Sequence, residues 1–213
     1  VASAAKNQRV WITAHIPPAA AGLPVPSNVF AEIVERFSPS TIAGIFFGHT
    51  HQDQFEVLYA GSGNDTKTIE DVINHAYIAP SITPWGGINP AWRFYEVDST
   101  TFSVMNMHTF YTKINETYTN NGSEPQWQHE YAARSVYNVS WPTTSPLNGT
   151  FWHMVAEQVG KSVDVRQAYE NYSNRFSPYT PVCKSTKDCD GDYCFLTSFT
   201  LDGYDKCMAA LPK

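Results

Sequence analysis

The segment Thr41 to Gly48, TIAGIFFG, is apolar almost throughout and carries no charge; Pro39 stands just before it and a histidine-rich loop just after. A strand with apolar side chains on both faces must be covered on both faces, as in a parallel sheet held between other layers. The segment therefore commits the chain to a layered α/β arrangement. Upstream, Arg9 to Ile16 (RVWITAHI) mixes β-branched and aromatic residues and reads as a second buried strand. Pro17, Pro18, Gly22, Pro24 and Pro26 make the next stretch an irregular loop. Ser27 is placed to cap a helix from Asn28 to Phe37. Val29, Ile33 and Phe37 recur at helical spacing there, Phe30 and Val34 lie alongside, and Pro39 ends it. Residues 9 to 48 thus read as strand, loop, helix, strand.

Beyond Gln54 the period changes. Phe55, Val57 and Tyr59 alternate, and Asn74 to Ile82, Ala91 to Val97 and Phe102 to Phe110 are further strand candidates between Gly, Pro and Asp turns. They read as an antiparallel or mixed set continuing one sheet. Pro125 is expected to open a helix reaching Tyr137. Asn148 is expected to cap another reaching Val159, and a third spans Val163 to Tyr172. There is no internal repeat and no low-complexity segment. The natural boundary lies near residues 115 to 125, giving domains of 1–120 and 121–213.

Composition narrows the partners and the compartment. Charged residues are 16% of the 213, the net charge is −6, and no basic cluster occurs, which argues against nucleic acid. No apolar run reaches the roughly 18 residues of a membrane span. Val1 to Val10 has no apolar core of a signal peptide. Six Asn-x-Ser/Thr sequons stand at Asn64, Asn115, Asn121, Asn138, Asn148 and Asn171, and their glycans would solubilise a charge-poor surface. All four cysteines, Cys183, Cys189, Cys194 and Cys207, fall in the last 31 residues. Two disulfides stapling a small tail are the expectation; the rival is a zinc knuckle, weakened by the lack of a C-x-x-C pair and of a nearby histidine. Together these features point to a secreted, extracellular or lysosome-like setting.

The chemistry-bearing signal is Gly48-His49-Thr50-His51, directly after the apolar strand. The C-terminal ends of strands are where α/β sheets place their sites, and neutral imidazole is a good ligand for zinc and similar metals. His15 ends the preceding strand, so a strand–helix–strand unit brings it to the same sheet edge. The alternatives are a turn with two partly exposed histidines and a satisfied core His15. Asp53 is either a carboxylate that orients a ligand histidine or a turn cap. His75, His108, His129 and His153 have no paired context in the sequence and read as structural or surface residues.

His15-Ile16-Pro17-Pro18, then a helix, then Gly48-His49-Thr50-His51-x-Asp53-x-Phe55 resembles the acid-sphingomyelinase branch of the calcineurin-like metallophosphoesterases. The likeness continues through Ala79-Pro80-Ser81, Asn89-Pro90 and Arg93-x-Tyr95, and Cys194 and Cys207 have that group's twelve-residue gap. The resemblance implies the second half of a metallophosphoesterase β-sandwich flanked by helices, followed by a small helical disulfide-stapled subdomain. It implies two zinc ions in the complete enzyme, with His15 and His49 on one and His51 on the other. The implied reaction is hydrolysis of a phosphodiester, typically a lipid, and Trp85 stands where the family has an aromatic residue near the substrate head group, which implies a cation–π platform for a quaternary ammonium; the alternative is a core or loop-packing Trp. The pairing expected is Cys183–Cys189, closing a small loop, and Cys194–Cys207, matching the family spacing. The family's Asp-x-His, Gly-Asp and Gly-Asn-His motifs are absent, and Ala19-Ala20-Ala21 stands where a Gly is expected. The chain would then supply only part of the site, its partner being the N-terminal half of the same enzyme. The alternative is a non-catalytic secreted glycoprotein that keeps the scaffold and acts by binding.

Overall fold

The computed structural model describes residues 1–61, 67–119, 121–185 and 187–211. The sequon at Asn64 lies outside them. In chain order the elements are α1 (Ala2–Ala5), β1 (Val10–Thr13), α2 (Pro24–Phe37), β2 (Ile42–Phe47), β3 (Gln54–Tyr59), β4 (Val72–Ile78), β5 (Ala91–Val97), β6 (Val104–Tyr111), α3 (Ile114–Thr119), β7 (Gln128–Ala132), α4 (Ala133–Val136), α5 (Gly149–Lys161), α6 (Val163–Ser173), α7 (Gly191–Leu196) and α8 (Leu201–Ala210).

The strands form two sheets where the strand pattern alone suggested one and the resemblance implied a sandwich: a mixed sheet in the order β1-β2-β4-β3 and an antiparallel sheet in the order β5-β6-β7. The break falls between β4 and β5. Pro80, Pro84 and Pro90 cannot donate to a ladder there, and Gly86 and Gly87 take φ of 75° and 79°. The sheets face one another, and Tyr95 of β5 lies against Phe46 and Tyr77, with ring centroids 5.2 and 5.4 Å apart.

β1 and β2 run parallel, as the strand–helix–strand reading requires. β2 is buried on both faces. Phe46 packs into the core between the sheets, while Ile45 and Phe47 meet Ala31 and Val34 of α2 on the other side. β3 alternates as read, with Phe55, Val57 and Tyr59 facing the inter-sheet core, but its other face is buried too. That core also takes Phe151, Trp152, Val155 and Val159 from α5, Tyr169 from α6 and Leu196 from α7. A single apolar cluster therefore draws on both sides of residue 120.

Three local readings are corrected. α2 starts at Pro24, not Asn28: Pro24 and Pro26 occupy its first turn, where a missing N–H costs nothing, and Ser27 is buried inside it. Its inward row is Ser27, Ala31 and Val34, leaving Val29 and Ile33 about half exposed. The helix expected from Pro125 is instead strand β7 plus the short α4. Thr109 pairs with Tyr131 and Phe110 with His129, so Glu130 is the extra residue of a β-bulge. The cap at Asn148 is present, its side chain accepting from the Phe151 N–H. Both expected disulfides form, Cys183–Cys189 and Cys194–Cys207, so the cysteines are not a zinc knuckle.

Several ionisable groups are buried without neutralising partners. Glu56 is fully buried and neither carboxylate oxygen is hydrogen-bonded, so desolvation drives its pKa well up. Burial raises Glu130 to about 9 and Asp192 to about 8. In an unfolded chain these groups ionise near the ordinary carboxylate range of roughly 4. Between that value and their raised values the folded state holds the extra protons, so stability falls as pH rises. His75 acts oppositely: burial lowers it to about 3, and stability is lost as pH falls below its unfolded value of about 6.5. Three carboxyls outweigh one imidazole. The chain is expected to melt at a higher temperature near about pH 5 than near about pH 8, and Glu56→Gln is expected to flatten that dependence. A melting temperature that rises steadily toward alkaline pH would contradict the assignment.

Candidate metal centre

The ends of β1 and β2 continue their pairing past the strands. Ala14 donates to the Phe46 carbonyl at 3.0 Å, and Gly48 donates to the His15 carbonyl at 3.0 Å. That ladder sets His15 beside His49. The His49 Nδ1 and His15 Nε2 atoms lie 3.4 Å apart, with the rings edge to face. Both side chains are open to solvent. After His49 the loop winds tightly: Thr50 donates to the Gly48 carbonyl, and His49 and His51 both take left-handed backbone conformations, φ 74° and 64°. Non-glycine residues held there cost on the order of 1 kcal/mol each and concentrate at functional sites. His51 Nδ1 is buried and has no hydrogen-bond partner.

These donors fit a zinc-like cation. Tetrahedral zinc with nitrogen bonds of about 2.0–2.1 Å spaces two ligand nitrogens roughly 3.3–3.4 Å apart, the separation that His15 and His49 show. The buried, unpartnered Nδ1 of His51 is a third imidazole nitrogen in the same loop. The three do not close on one point: among the described residues, the His, Cys, Asp and Glu ligand atoms that lie in threes within 4.8 Å of one another belong to Glu170, Cys183 and Cys189. Those two sulfurs are joined in a disulfide and hold no metal.

Asp53 follows the loop but serves neither expected purpose. Its carboxylate is buried in an ion pair with Arg93 of β5 and accepts from Thr109 Oγ1 of β6 at 2.8 Å. Its own N–H donates to the Ser173 carbonyl at the end of α6. Gln52 Nε2 donates to Asn174 Oδ1 at 3.1 Å. The histidine loop is thus fastened to the second sheet and to α6, and Asp53 is not free to face a cation.

Trp85 is 75% exposed, which excludes the packing reading. Its turn is reached from Ser81, whose N–H donates to the His51 carbonyl at 3.3 Å, so the indole stands on a segment tied to the metal loop. On the other side of His15, an apolar cleft of about 510 Å3 is lined by Ile16, Pro17, Pro18, Leu23, Pro26 and Phe30, among others. His75 and His153 are buried. His108 and His129, read as unpaired, in fact lie together on the second sheet.

No family model matches the chain. It is similar to sphingomyelin phosphodiesterase B of Dictyostelium discoideum, 30% identical over 210 residues, which cover 95% of this chain and 31% of that protein. It is 34% identical over 182 residues to the sphingomyelin phosphodiesterase of Homo sapiens, covering 84% of this chain and 27% of the human protein. The cyclic GMP-AMP phosphodiesterase SMPDL3A of Rattus norvegicus is 28% identical over 217 residues, covering 95% of this chain and 45% of the rat protein. Its homologues are thus acid-sphingomyelinase-like phosphodiesterases, matched over part of their length. It spans about a third of the length of the relatives it matches first.

The motif residues of this acid-sphingomyelinase-like chain divide into ligand candidates and scaffold. Asn89 donates to the Arg175 carbonyl and accepts from the Ile114 N–H. Arg93 holds Asp53 and reaches the Tyr95 hydroxyl. Sequence reasoning missed the Asp53–Arg93 pair because its partners lie on different sheets. The Arg93-x-Tyr95 motif was the available sign that a buried cation needed a counter-ion.

Two outcomes follow. Removing either partner strands a buried charge, so Asp53→Asn or Arg93→Met is expected to cost about 3–5 kcal/mol, and the double variant less than the sum; additive losses in chemical denaturation would contradict the pair. At His49, Gly accepts φ 74° freely while Ala does not. His49→Gly is therefore expected to be about 1 kcal/mol more stable than His49→Ala, some 2–4 °C in melting temperature.

Proposed function

We propose that this chain supplies His15, His49 and His51 to a dinuclear zinc site that hydrolyses a phosphodiester, and that the remaining ligands come from a segment corresponding to the N-terminal half of its relatives. The observation that carries the proposal is the His15–His49 nitrogen pair, 3.4 Å apart at the ends of adjacent parallel strands. When bound, the two zinc ions would polarise the phosphodiester and activate water, which a pair of cations about 3.5–4 Å apart does in such sites. The chain's own contribution is to present neutral imidazole lone pairs in a fixed array. The Gly48–His15 backbone bond and the Asp53–Arg93 bolt keep that array from relaxing.

The same geometry accounts for incompleteness. Three neutral imidazoles leave two divalent charges uncompensated, and the nearest carboxylate in sequence, Asp53, is committed to Arg93. None of the three histidines is spare to protonate the leaving alkoxide. A bridging acid and a proton donor must come from outside this chain.

The surroundings favour a lipid phosphodiester over a nucleotide. The apolar cleft beside His15 suits an acyl segment, with Leu23 and Val25 each 72% exposed at the surface. Exposed Trp85 suits a quaternary ammonium head group. The similarity to sphingomyelin phosphodiesterases supports this choice, and the similarity to a cyclic GMP-AMP phosphodiesterase supports the nucleotide alternative. A secreted, glycosylated and lysosome-like setting belongs to the same proposal. Asn115, Asn121, Asn138 and Asn148 are exposed and Asn171 half-buried, two disulfides are present, and among the described residues no helix is long and apolar enough to cross a membrane. A non-catalytic binding protein has no need of an imidazole pair at ligand spacing, so that reading is second.

The chain alone is expected to hydrolyse a chromogenic phosphodiester no faster than background with zinc added, at acidic or neutral pH. Joined to the N-terminal segment it is expected to turn over with zinc, and His49→Ala or His51→Ala to abolish that turnover. Zinc-dependent hydrolysis by the lone chain, verified free of any companion, would overturn the proposed ligand set.

A further inference from the structure

The outward face of the β5-β6-β7 sheet holds a second histidine pair, far from the first in the fold. His108 of β6 and His129 of β7 approach with Nδ1 and Nε2 3.4 Å apart, and the other nitrogen of His108, Nε2, lies 2.6 Å from Glu96 Oε1 of β5. Asn106 Nδ2 also lies 3.3 Å from His108 Nε2. Three adjacent strands therefore contribute one carboxylate and two imidazoles in line. The aromatic neighbours fix the ring planes: Phe94 stacks on His108 at 4.8 Å, and Phe110 lies 5.1 Å from the His129 ring.

We propose that His108 and His129 form a surface site for a borderline divalent cation of the zinc class, with Glu96 as its orienting carboxylate. Glu96 accepts the proton on His108 Nε2, which leaves the Nδ1 lone pair facing His129. A carboxylate on the far nitrogen is the usual support of a metal-bound histidine, because it fixes the tautomer and raises the basicity of the ligating nitrogen. The 3.4 Å separation matches two nitrogens on a tetrahedral zinc, roughly 3.3–3.4 Å apart for bonds of about 2.0–2.1 Å. Imidazole with carboxylate support selects zinc and copper over magnesium or calcium, which prefer all-oxygen shells. Both rings are reachable from solvent, since the His108 side chain is 20% exposed and His129 more so. Water completes the coordination, so this is a site that binds a cation and clamps β6 to β7. The competing account is a metal-free hydrogen-bond chain, with His129 Nε2–H donating to His108 Nδ1.

The test separates this site from the candidate metal centre by removing the latter. Zinc is titrated calorimetrically into the chain carrying His15→Ala and His49→Ala, with circular dichroism confirming the fold. The expected result is one zinc per chain, lost when His129→Ala is added and weakened at least about 10-fold by Glu96→Ala. Copper, used as a spectroscopic probe on the same background, is expected to show two-nitrogen coordination that disappears with His129→Ala. Absence of zinc binding to the background variant, or zinc binding indifferent to His129→Ala, would overturn the site and leave the hydrogen-bond chain.

Discussion

The ion pair between Asp53 and Arg93 is the constraint on which the arrangement of this molecule depends. It joins the start of β3 in one sheet to β5 in the other, with Thr109 of β6 as a further donor. Both side chains are almost wholly withdrawn from water. A buried pair gains little over apolar packing, but it penalises every arrangement in which one partner lacks the other. Sliding one sheet against the other would strand both charges. The pair therefore fixes relative position rather than adding much stability. Because Asp53 directly follows the histidine loop, fixing the sheets also fixes the loop.

Around this pair the core is unusually polar for its depth. Glu130 enters it only because the bulge in β7 turns an extra residue inward, and its oxygens find no hydrogen-bond partner. On the opposite face of β3, Glu56 is paired across the sheet with Ala76, and its carboxylate is also unpartnered by hydrogen bonds. A carboxyl in such a place is tolerated best when protonated, because the neutral form has far less hydration to lose. This makes an acidic surrounding the natural condition for the fold.

The parts of the fold that were legible in the sequence are those decided within one element. The apolar run of β2 announced burial on both faces, and Asn148 announced the start of α5. What was not legible was decided between elements. The sequence offered Val29, Ile33 and Phe37 as a row on α2 with Phe30 and Val34 alongside, and only the sheet beneath selects Val34 together with Ala31 and leaves Val29 and Ile33 half exposed. Pro24 at the first turn was a readable start signal overshadowed by the capping look of Ser27. β7 escaped because a bulge breaks the two-residue period by which strands are recognised. At the candidate metal centre, His15 and His49 were legible through strand order alone. The commitment of Asp53 was not, since its partner sits on a sheet that the sequence did not separate from the first.

The two histidine pairs show how much of a metal site can precede the metal. In each, nitrogens approach to 3.4 Å, and in each the approach is enforced by neighbouring strands rather than by long flexible side chains. At His15 and His49 the enforcing contact is the Gly48–His15 backbone bond, which prolongs a parallel ladder past its last strand residue. At His108 and His129 it is the β6–β7 register and the stacked phenylalanines. They differ in charge. Glu96 stands behind the second pair, so one divalent cation there meets a carboxylate at second-neighbour distance. The carboxylate next to the first pair along the chain, Asp53, already neutralises Arg93. Coulomb energy would rank them: a cation at the second pair would find a carboxylate behind it, whereas one at the β1–β2 edge would gain nothing from Asp53. The β1–β2 edge thus brings two imidazole nitrogens together while Asp53, the nearest acid along the chain, stays with Arg93.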